Sequence, residues 1–579
     1  MKLRKKKNSY SSDLDEIFLD ARNIPGYHQE SWEGVLEEPI KNRSLIIVGI
    51  FFVCVSIIFL SRVSLLQVVR GNEFEARASR NHLRFVEKPA ERGIIYDRFG
   101  IPLAHNVLEN VATSTLGADD FEIVRRYPES GFFHVLGFLK KDRDALFIGA
   151  SGLEAYYEND LKGENGKVIE EIDAMGNSIG SGEGSVGRPG FGIRTAIARD
   201  LQSALARYIK EAIENHGFRG GVGIITDVTN GEIVAYVSIP DFDSNVFNNP
   251  LTGGKFQQII DDPRKPFFNR GVSGLYVPGS IVKPIVAAGA LYENIISPEV
   301  QIVSTGALTL PNPYHPENPS IFKDWKAHGA VDMRRAIAVS SDVYFYEIGG
   351  GFQSQKGLGI KKLNEYYHMF GFDEPTGIDL PGEKYGPLPD PEKPRRDGRN
   401  WSVGDTYHTS IGQGDMAITP IQTARFVTTL ATRGTVLRPH IATAIIDERG
   451  GIVRKISYDP IRTNILPDSI FTIIHEGMRD AALSGTAKGL AGLSIPVAAK
   501  TGTAELGKTG RVNSWSIGFL PYEKPRLSYV ILMESGSVHN LVGATFVASR
   551  TIQWMADHQF LDALDKGFED SLDDVAQLR

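Results

Sequence analysis

Ser280 and Lys283 stand three residues apart in the segment Tyr276-Val277-Pro278-Gly279-Ser280-Ile281-Val282-Lys283-Pro284, directly ahead of an alanine-rich apolar run. On a helix, side chains at i and i+3 share one face. Pro278-Gly279 breaks the chain just before, so Ser280 is predicted at or near a helix N-terminus, where unpaired amides stabilise negative charge. A serine there can act as a nucleophile if a neighbour takes its proton, and Lys283 can do so only when neutral. An ordinary lysine titrates near 10.4, so neutrality at pH 7 costs roughly 4 kcal/mol. Burial, a helix N-terminus and a second ammonium all push in that direction. Taken alone the pair is unremarkable, because a serine and lysine at this spacing arise by chance about once or twice in a chain of ordinary composition. A capping serine beside a solvated lysine is then the plain reading. Two further segments alter the balance: Ser340-Ser341-Asp342, and Lys500-Thr501-Gly502-Thr503 after the apolar strand Ile495 to Ala499. A second copy of the last tripeptide, Lys508-Thr509-Gly510, lies among Gly507, Arg511 and Asn513 and reads as a hairpin loop before the strand Trp515 to Leu520.

These groups need elements to hold them. Ile197, Leu201, Leu205, Tyr208 and Ala212 recur at helical spacing until Gly217 ends the run. Gly223 to Val228 and Glu232 to Val237 flank Asn230-Gly231, a hairpin signal that opens a compact α+β domain. Upstream, Phe74 to Arg84 reads as a polar helix, and Glu91 to Gly100 as a short strand ending in a turn. The glycine-rich run Gly176 to Gly192 is expected to be a linker or surface loop, as are the proline-rich stretches Pro311 to Pro319 and Tyr385 to Arg399. The acidic stretch from Phe560 to Arg579 reads as a frayed helix or tail, and no internal repeat is present.

Composition bounds the possibilities. With 579 residues, 42% apolar and 23% charged, the chain is that of a folded protein with a real core and not a disordered or collagen-like polymer. Its 63 basic and 70 acidic side chains give a net charge of −7, so no global positive field would collect nucleic acid. The lone Cys54 excludes an internal disulfide and a cysteine-based zinc site. His315 and His328 with nearby carboxylates could be assembled into a metal site, but loop and core histidines are the commoner case, and neither metal nor cofactor is expected. Ser44 to Ser61 carries no charge, and its 18 residues cover about 27 Å, close to the hydrocarbon core of a bilayer. A cleaved signal peptide would need a 43-residue leading region and lacks a small-residue cleavage site, so an uncleaved anchor is expected. Lys2, Arg4, Lys5, Lys6, Lys7, Lys41 and Arg43 precede it and favour a cytoplasmic N-terminus, although Arg62, Arg70, Arg77 and Arg80 follow.

In order and spacing, the three segments resemble the Ser-x-x-Lys, Ser-x-Asn and Lys-Thr-Gly set of serine penicillin-binding proteins and β-lactamases. Glu91 to Gly100 and Gly152-Leu153-Glu154 are similar to the pedestal, or dimerisation, module of class B penicillin-binding proteins, which β-lactamases lack. The Glu-x-x-Leu-Asn element that supplies the deacylating glutamate of class A β-lactamases is missing, since Leu363-Asn364 has Ile360 where Glu is needed. Within class B, Trp325 to Gly329, Thr376 to Glu383, and Trp401 to Thr406 with Ser410 to Gly414 resemble the elongation-type penicillin-binding protein 2 branch. Asp342 replaces the Asn of division-type relatives.

The resemblance implies a single N-terminal transmembrane helix, an extended α+β pedestal, and an α+β transpeptidase domain with an antiparallel sheet flanked by helices. The expected boundaries are a cytoplasmic tail at 1–43, the helix at 44–61, the pedestal at 62–192, the transpeptidase domain at 193–558 and the tail at 559–579. It implies Ser280 as nucleophile, Lys283 as base, Ser340 as relay and Lys500, Thr501, Gly502 and Thr503 as the hold on a substrate carboxylate, with the amides of Ser280 and Thr503 as oxyanion donors. Asp342, as a carboxylate, would raise the pKa of any lysine close by, so it is expected to face Lys500 and leave Lys283 to be discharged by burial. The implied activity is D,D-transpeptidation of peptidoglycan stem peptides ending in D-Ala-D-Ala during elongation, blocked by β-lactams. Implied partners are the membrane, a SEDS-type glycosyltransferase and other elongation-complex membrane proteins, the body lying outside the membrane. Fewer than 100 residues precede the pedestal, too few for a glycosyltransferase module. The rivals are a β-lactam sensor, which needs a signalling module that the 43 leading residues do not supply, a division-type enzyme, a silent activator of a polymerase, and a D,D-carboxypeptidase.

Overall fold

The computed structural model describes residues 42–564, except 75–82, 111–120, 129, 142–146, 173–177, 183, 249–252, 312–314, 316, 393–397, 399 and 508. The chain divides into two compact units, residues 1–85 with 169–182, and residues 86–168 with 183–579. In the first unit, helix α1 (Asn42–Ser64) runs on into a π turn, and Leu45–Val69 is long and apolar enough to cross a membrane. Its large side chains, among them Ile47, Phe51 and Phe59, are exposed all round, as on a helix whose solvent is not water. Two expectations give way here. Arg84 lies in the strand Leu83–Lys88 and not in a helix, and 75–82 lie outside the described residues. Part of the glycine-rich run is also a strand, Ser178–Gly182, paired antiparallel with residues 169–172. A ladder needs only backbone groups, so small residues beside a willing partner strand suffice.

The second unit begins with β1 (Ile95–Tyr96), β2 (Pro102–Asn110), β3 (Phe121–Arg126) and β4 (Gly192–Thr195), followed by α2 (Arg199–His216), β5 (Gly220–Asp227) and β6 (Ile233–Ile239). A 3-10 turn (Gly279–Val282) leads into α3 (Lys283–Tyr292), and α4 (Met333–Val339) and α5 (Asp342–Gly350) follow. The remainder contains β7 (Ala442–Ile446), β8 (Ile452–Lys455), α6 (Asp468–Ser484), β9 (Ala498–Glu505), β10 (Arg511–Leu520), β11 (Leu527–Ser537) and α7 (Ala544–Asp557). The expected hairpin is present as β5 and β6, and Gly217 ends α2 in the left-handed conformation. Phe560–Ala563 is helical and Phe560 and Leu564 are packed into the core, so the stretch expected to be a frayed helix or tail begins as a packed helix, and 565–579 lie outside the described residues.

One sheet has the order β8-β7-β4-β1-β2-β3, with β1 and β4 parallel, and so draws strands from both sides of residue 192. At its base, Glu154 is fully buried and joins the two quoted pedestal segments. Its carboxylate accepts from Arg92 Nε at 2.6 Å, from Arg125 Nε at 2.9 Å and from the Tyr127 hydroxyl at 3.2 Å. Burial alone would raise its pKa, but the two guanidinium groups outweigh that and hold the carboxyl below its ordinary value of 4.5.

The other sheet has the order β6-β5-β11-β10-β9 and is antiparallel throughout. Alternate residues enter two separate apolar clusters: Val530 and Leu532 in one, Ile531 and Met533 in the other. Both faces are therefore covered, as the period of two requires. Helices α2 and α7 pack on one face and Pro420–Ala431 on the other. Strand β9, which carries Lys500 to Thr503, is the edge.

Glu154→Ala leaves Arg125 without its buried carboxylate and Arg92 with only Glu158. The expected loss is about 3–5 kcal/mol in urea unfolding. Because the folded pKa is depressed, the contribution of Glu154 in the parent is complete above 4.5 and fades as pH falls through the lower folded value, so the gap between parent and variant narrows in acid. A gap that widened in acid would contradict the assignment.

Candidate active site

Each reactive side chain arrives on a different element. The 3-10 turn presents Ser280, and α3 begins with Lys283 and Pro284, the proline occupying a position where its missing N–H has no cost. Helix α4 ends at Ser340, which takes the left-handed conformation (φ 60°), a geometry costing a non-glycine residue about 1–2 kcal/mol. Ser341 then caps α5, its hydroxyl accepting from Tyr344 N, and Asp342 opens that helix. Lys500 lies inside β9 and not at the end of a strand, with Gly502 and Ala504 on the buried side and Thr501, Thr503 and Glu505 turned the other way.

These residues meet around one hydroxyl. Lys283 Nζ donates to Ser340 O at 2.8 Å, to Ser340 Oγ at 3.2 Å and to Asp342 Oδ1 at 2.6 Å. From the other side, Lys500 Nζ lies 2.8 Å from Ser340 Oγ and donates to Thr501 O at 2.8 Å. Both lysines are fully buried. The expectation for Asp342 is therefore corrected: its carboxylate faces Lys283, not Lys500. The physical reason is packing, since α3 lies against α5 and brings Lys283 to the start of that helix, while β9 approaches Ser340 from the opposite side. The Phe345 ring, 5.4 Å from Lys283 Nζ, adds a further site favourable to a cation. Lys500 has the contrary environment: burial first, then the charge of Lys283, lowers its pKa well below the ordinary 10.5, with Asp342 only partly opposing them.

Ser280 lines the same cleft, half-buried, and its hydroxyl has no hydrogen-bond partner among the described residues, because the donors of Lys283 are directed elsewhere. Its turn is set by close backbone contacts. Gly279 has φ 60° and donates to Gly412 O at 2.8 Å, and a Cβ on Gly279 would come within 2.9 Å of Thr503 O. A Cβ on Gly412 would come within 2.2 Å of Gly279 O, and one on Gly502 within 3.0 Å of Pro278 O. Glycine is needed at these points so that turn and edge strand can touch. Thr503 is exposed, and its carbonyl accepts from Gln413 Nε2 at 3.4 Å. Of the second tripeptide, Thr509 and Gly510 lie in the turn between β9 and β10, and Lys508 is outside the described residues.

Three supporting residues escaped the sequence reading. Buried Asp324 accepts from the hydroxyls of Ser304 (3.0 Å) and Ser341 (2.8 Å), and from the amides of Val343 (3.1 Å) and Trp325 (2.9 Å). Burial pushes its pKa up, but the amides of Asp342 and Val343, the Ser341 hydroxyl and the charge of Lys283 prevail and hold it below the usual carboxylate range. Asp324 thus ties the start of α5 to the segment Trp325 to Gly329, whose His328 has Nε2 at 3.4 Å from Asp324 Oδ1. Thr486 Oγ1 accepts from Thr501 Oγ1 at 2.7 Å while Thr486 N donates to Ala338 O, linking β9 to the end of α4. Gln413 is the third. A signal existed for Asp324 and Gln413, which adjoin or lie within segments already singled out, but none pointed to Thr486.

Proteins of known family are similar to this chain in sequence and in fold. Residues 221–548 match the penicillin binding protein transpeptidase domain, and residues 120–195 the penicillin-binding protein dimerisation domain. The peptidoglycan D,D-transpeptidase MrdA of Acinetobacter baumannii is 28% identical, with 86% of this chain and 85% of the relative covered. MrdA of Escherichia coli K12 is 27% identical, with 83% and 88% covered. Among solved structures, Pseudomonas aeruginosa PBP2 in complex with WCK 5153 has a TM-score of 0.67 at 28% identity, covering 84% of this chain and 98% of that one. Helicobacter pylori PBP2 in complex with MreC has a TM-score of 0.66 at 25% identity, covering 83% and 100%. With the transpeptidase match alone spanning more than half of its length, and the serine and lysine elements converging within that span, the chain belongs to the penicillin-binding protein transpeptidase family.

Proposed function

We propose that this protein is an elongation-type peptidoglycan D,D-transpeptidase, in which Ser280 attacks the D-Ala-D-Ala peptide bond of a stem peptide, D-Ala leaves, and an amine of a second stem peptide takes the acyl group. The observation that carries this reading is the Ser340 hydroxyl held between two buried lysine nitrogens, one of them ion-paired to Asp342. One carboxylate offsets one buried ammonium. In the resting site that carboxylate is paired with Lys283, and the surroundings of Lys500 favour its neutral form.

Arrival of the substrate's terminal carboxylate beside Lys500, Thr501 and Thr503 changes the balance, because an anion favours the protonated form of Lys500. Ser340 then passes its proton to Lys500 Nζ and takes one from Lys283 Nζ, leaving Lys283 neutral. Neutral Lys283 accepts the proton of Ser280 as its oxygen attacks the carbonyl carbon, and the C–N bond breaks once the leaving amine is protonated through Ser340. The backbone amides of Ser280 and Thr503 serve as donors to the developing oxyanion. Deacylation by an amine gives the crosslink, and deacylation by water gives a minor D,D-carboxypeptidase activity.

The apolar helix Leu45–Val69 serves as the membrane anchor, with the N-terminus in the cytoplasm and the body outside. The Helicobacter pylori relative solved with MreC supports membrane-associated elongation proteins as partners, and a SEDS-type glycosyltransferase would supply the glycan strands. The sensor, division-type and silent-activator readings lack a comparable observation.

Labelled penicillin should attach covalently at Ser280, and Ser280→Ala should abolish attachment, as peptide mapping would show. Labelling at another residue would overturn the nucleophile. Asp342→Asn keeps an acceptor for Lys283 but removes a charge that partly supports the protonated form of Lys500, so acylation should persist with its pH profile moved toward lower pH. Asp342→Ala leaves a buried donor unpaired and should be slower than the Asn variant by roughly tenfold or more. Equal damage by Asn and Ala, or a profile moved toward higher pH, would contradict the proton path.

A further inference from the structure

The chain as a whole is acidic, yet the cleft that opens on Ser280 has the opposite character. It is bordered by Lys323, Lys326, Arg335 and Lys488, against two carboxylates, Asp342 and Glu505. Asp342 is already engaged by Lys283. Arg335 donates from Nη1 to Ser484 Oγ at 2.9 Å and has no carboxylate partner among the described residues, nor do the three lysines. The contrast with Arg334, the adjacent residue, is informative: turned away from the cleft, it is paired with Glu476 at 2.6 Å. Among the described residues the cations beside the cleft are thus without carboxylate partners, while Arg334 beside them is neutralised.

The four charges come from two separate parts of the wall. Arg335, with its Ser484 contact, and Lys488 flank the Thr486–Thr501 hydroxyl pair on the side of strand β9. Lys323 and Lys326 flank Trp325, whose Nε1 donates to Val339 O next to Ser340 and whose exposed ring has Lys326 Nζ 4.7 Å from its centre. Like charges gathered without partners repel one another, and a cleft concentrates their field. An anionic ligand removes that repulsion. The substrate's terminal carboxylate is already provided for by Lys500, Thr501 and Thr503, so these cations call for carboxylates further along the peptide.

We infer that the cleft selects stem peptides that carry free side-chain carboxylates over the same peptides with those groups amidated, through Arg335 and Lys488 on one part of the wall and Lys323 and Lys326 on the other. The inference rests on the reading of Ser280 as the nucleophile of a D,D-transpeptidase.

The test uses the purified full-length chain in detergent, with active sites counted by penicillin labelling of Ser280, and two D-Ala-D-Ala peptides that differ only in amidation of their side-chain carboxylates. For D-Ala release, kcat/KM should favour the carboxylate peptide by about tenfold. That preference should shrink as ionic strength rises from about 0.1 to about 1 M, which shortens the screening length from about 10 to about 3 Å. In Arg335→Gln/Lys488→Gln the ratio should fall toward one, mainly through KM, and the charge-conserving Arg335→Lys/Lys488→Arg should keep it. A ratio near one in the parent, a preference indifferent to salt, or a preference unchanged in the Gln variant would overturn the inference while Ser280 labelling leaves the transpeptidase reading intact. Failure of penicillin to label Ser280 in the parent would overturn both.

Discussion

Two lysines and one carboxylate are buried around the hydroxyl of Ser340, and the surrounding structure is arranged to make that possible. Taking an ammonium out of water costs several kcal/mol even after relaxation, so two of them side by side without compensation would not persist. The site resolves this by giving Lys283 a 2.6 Å partner in Asp342 and the Phe345 ring, and by leaving Lys500 in surroundings that favour its neutral form. The two lysines are thereby unequal although the same hydroxyl touches both. That inequality is what lets a proton move when a substrate carboxylate arrives.

The fold supplies the geometry by bringing distant segments into contact through backbone. The edge strand β9 delivers Lys500 and leaves Thr503 exposed beside the turn of Ser280, and glycines at 279, 412 and 502 permit the approach. The left-handed Ser340 lies between α4 and α5, where Asp324 fixes the start of α5 through Ser341 and Val343, and Thr486 joins the end of α4 to β9. The nucleophile is held by its turn, and its hydroxyl has no hydrogen-bond partner among the described residues. A base that is fully committed elsewhere until substrate binds also limits idle reactivity of that serine.

What was legible in the sequence follows the range of the interactions. The helix of residues 199–216, the 220–239 hairpin and the turn before Lys283 are set by nearby residues, and pattern and punctuation sufficed to locate them. Ser280, Lys283, Ser340 and Lys500 could be named from their spacing and resemblance, and the fold brings Lys283, Ser340 and Lys500 into one hydrogen-bonded group. Which lysine Asp342 would face could not be read, because it depends on α3 packing against α5 from one side and β9 arriving from the other. Charge reasoning alone chose Lys500 and was wrong. The Arg92–Glu154 bond and the Thr486–Thr501 contact were hidden for the same reason, since each joins residues whose proximity exists only in the folded chain. The strand Ser178–Gly182 shows the converse: a glycine-rich stretch with little preference of its own is ordered by its partner.

The 2.6 Å pairing of Lys283 with Asp342 and the surroundings of Lys500 favour an ammonium on the former and a neutral amine on the latter. Neutron diffraction from deuterium-exchanged crystals of the unliganded protein near neutral pH counts these protons directly. Three deuterons are expected on Lys283 Nζ and two on Lys500 Nζ, with the Ser340 deuteron directed at Lys500. Three deuterons on Lys500 Nζ and two on Lys283 Nζ would overturn this placement of the protons.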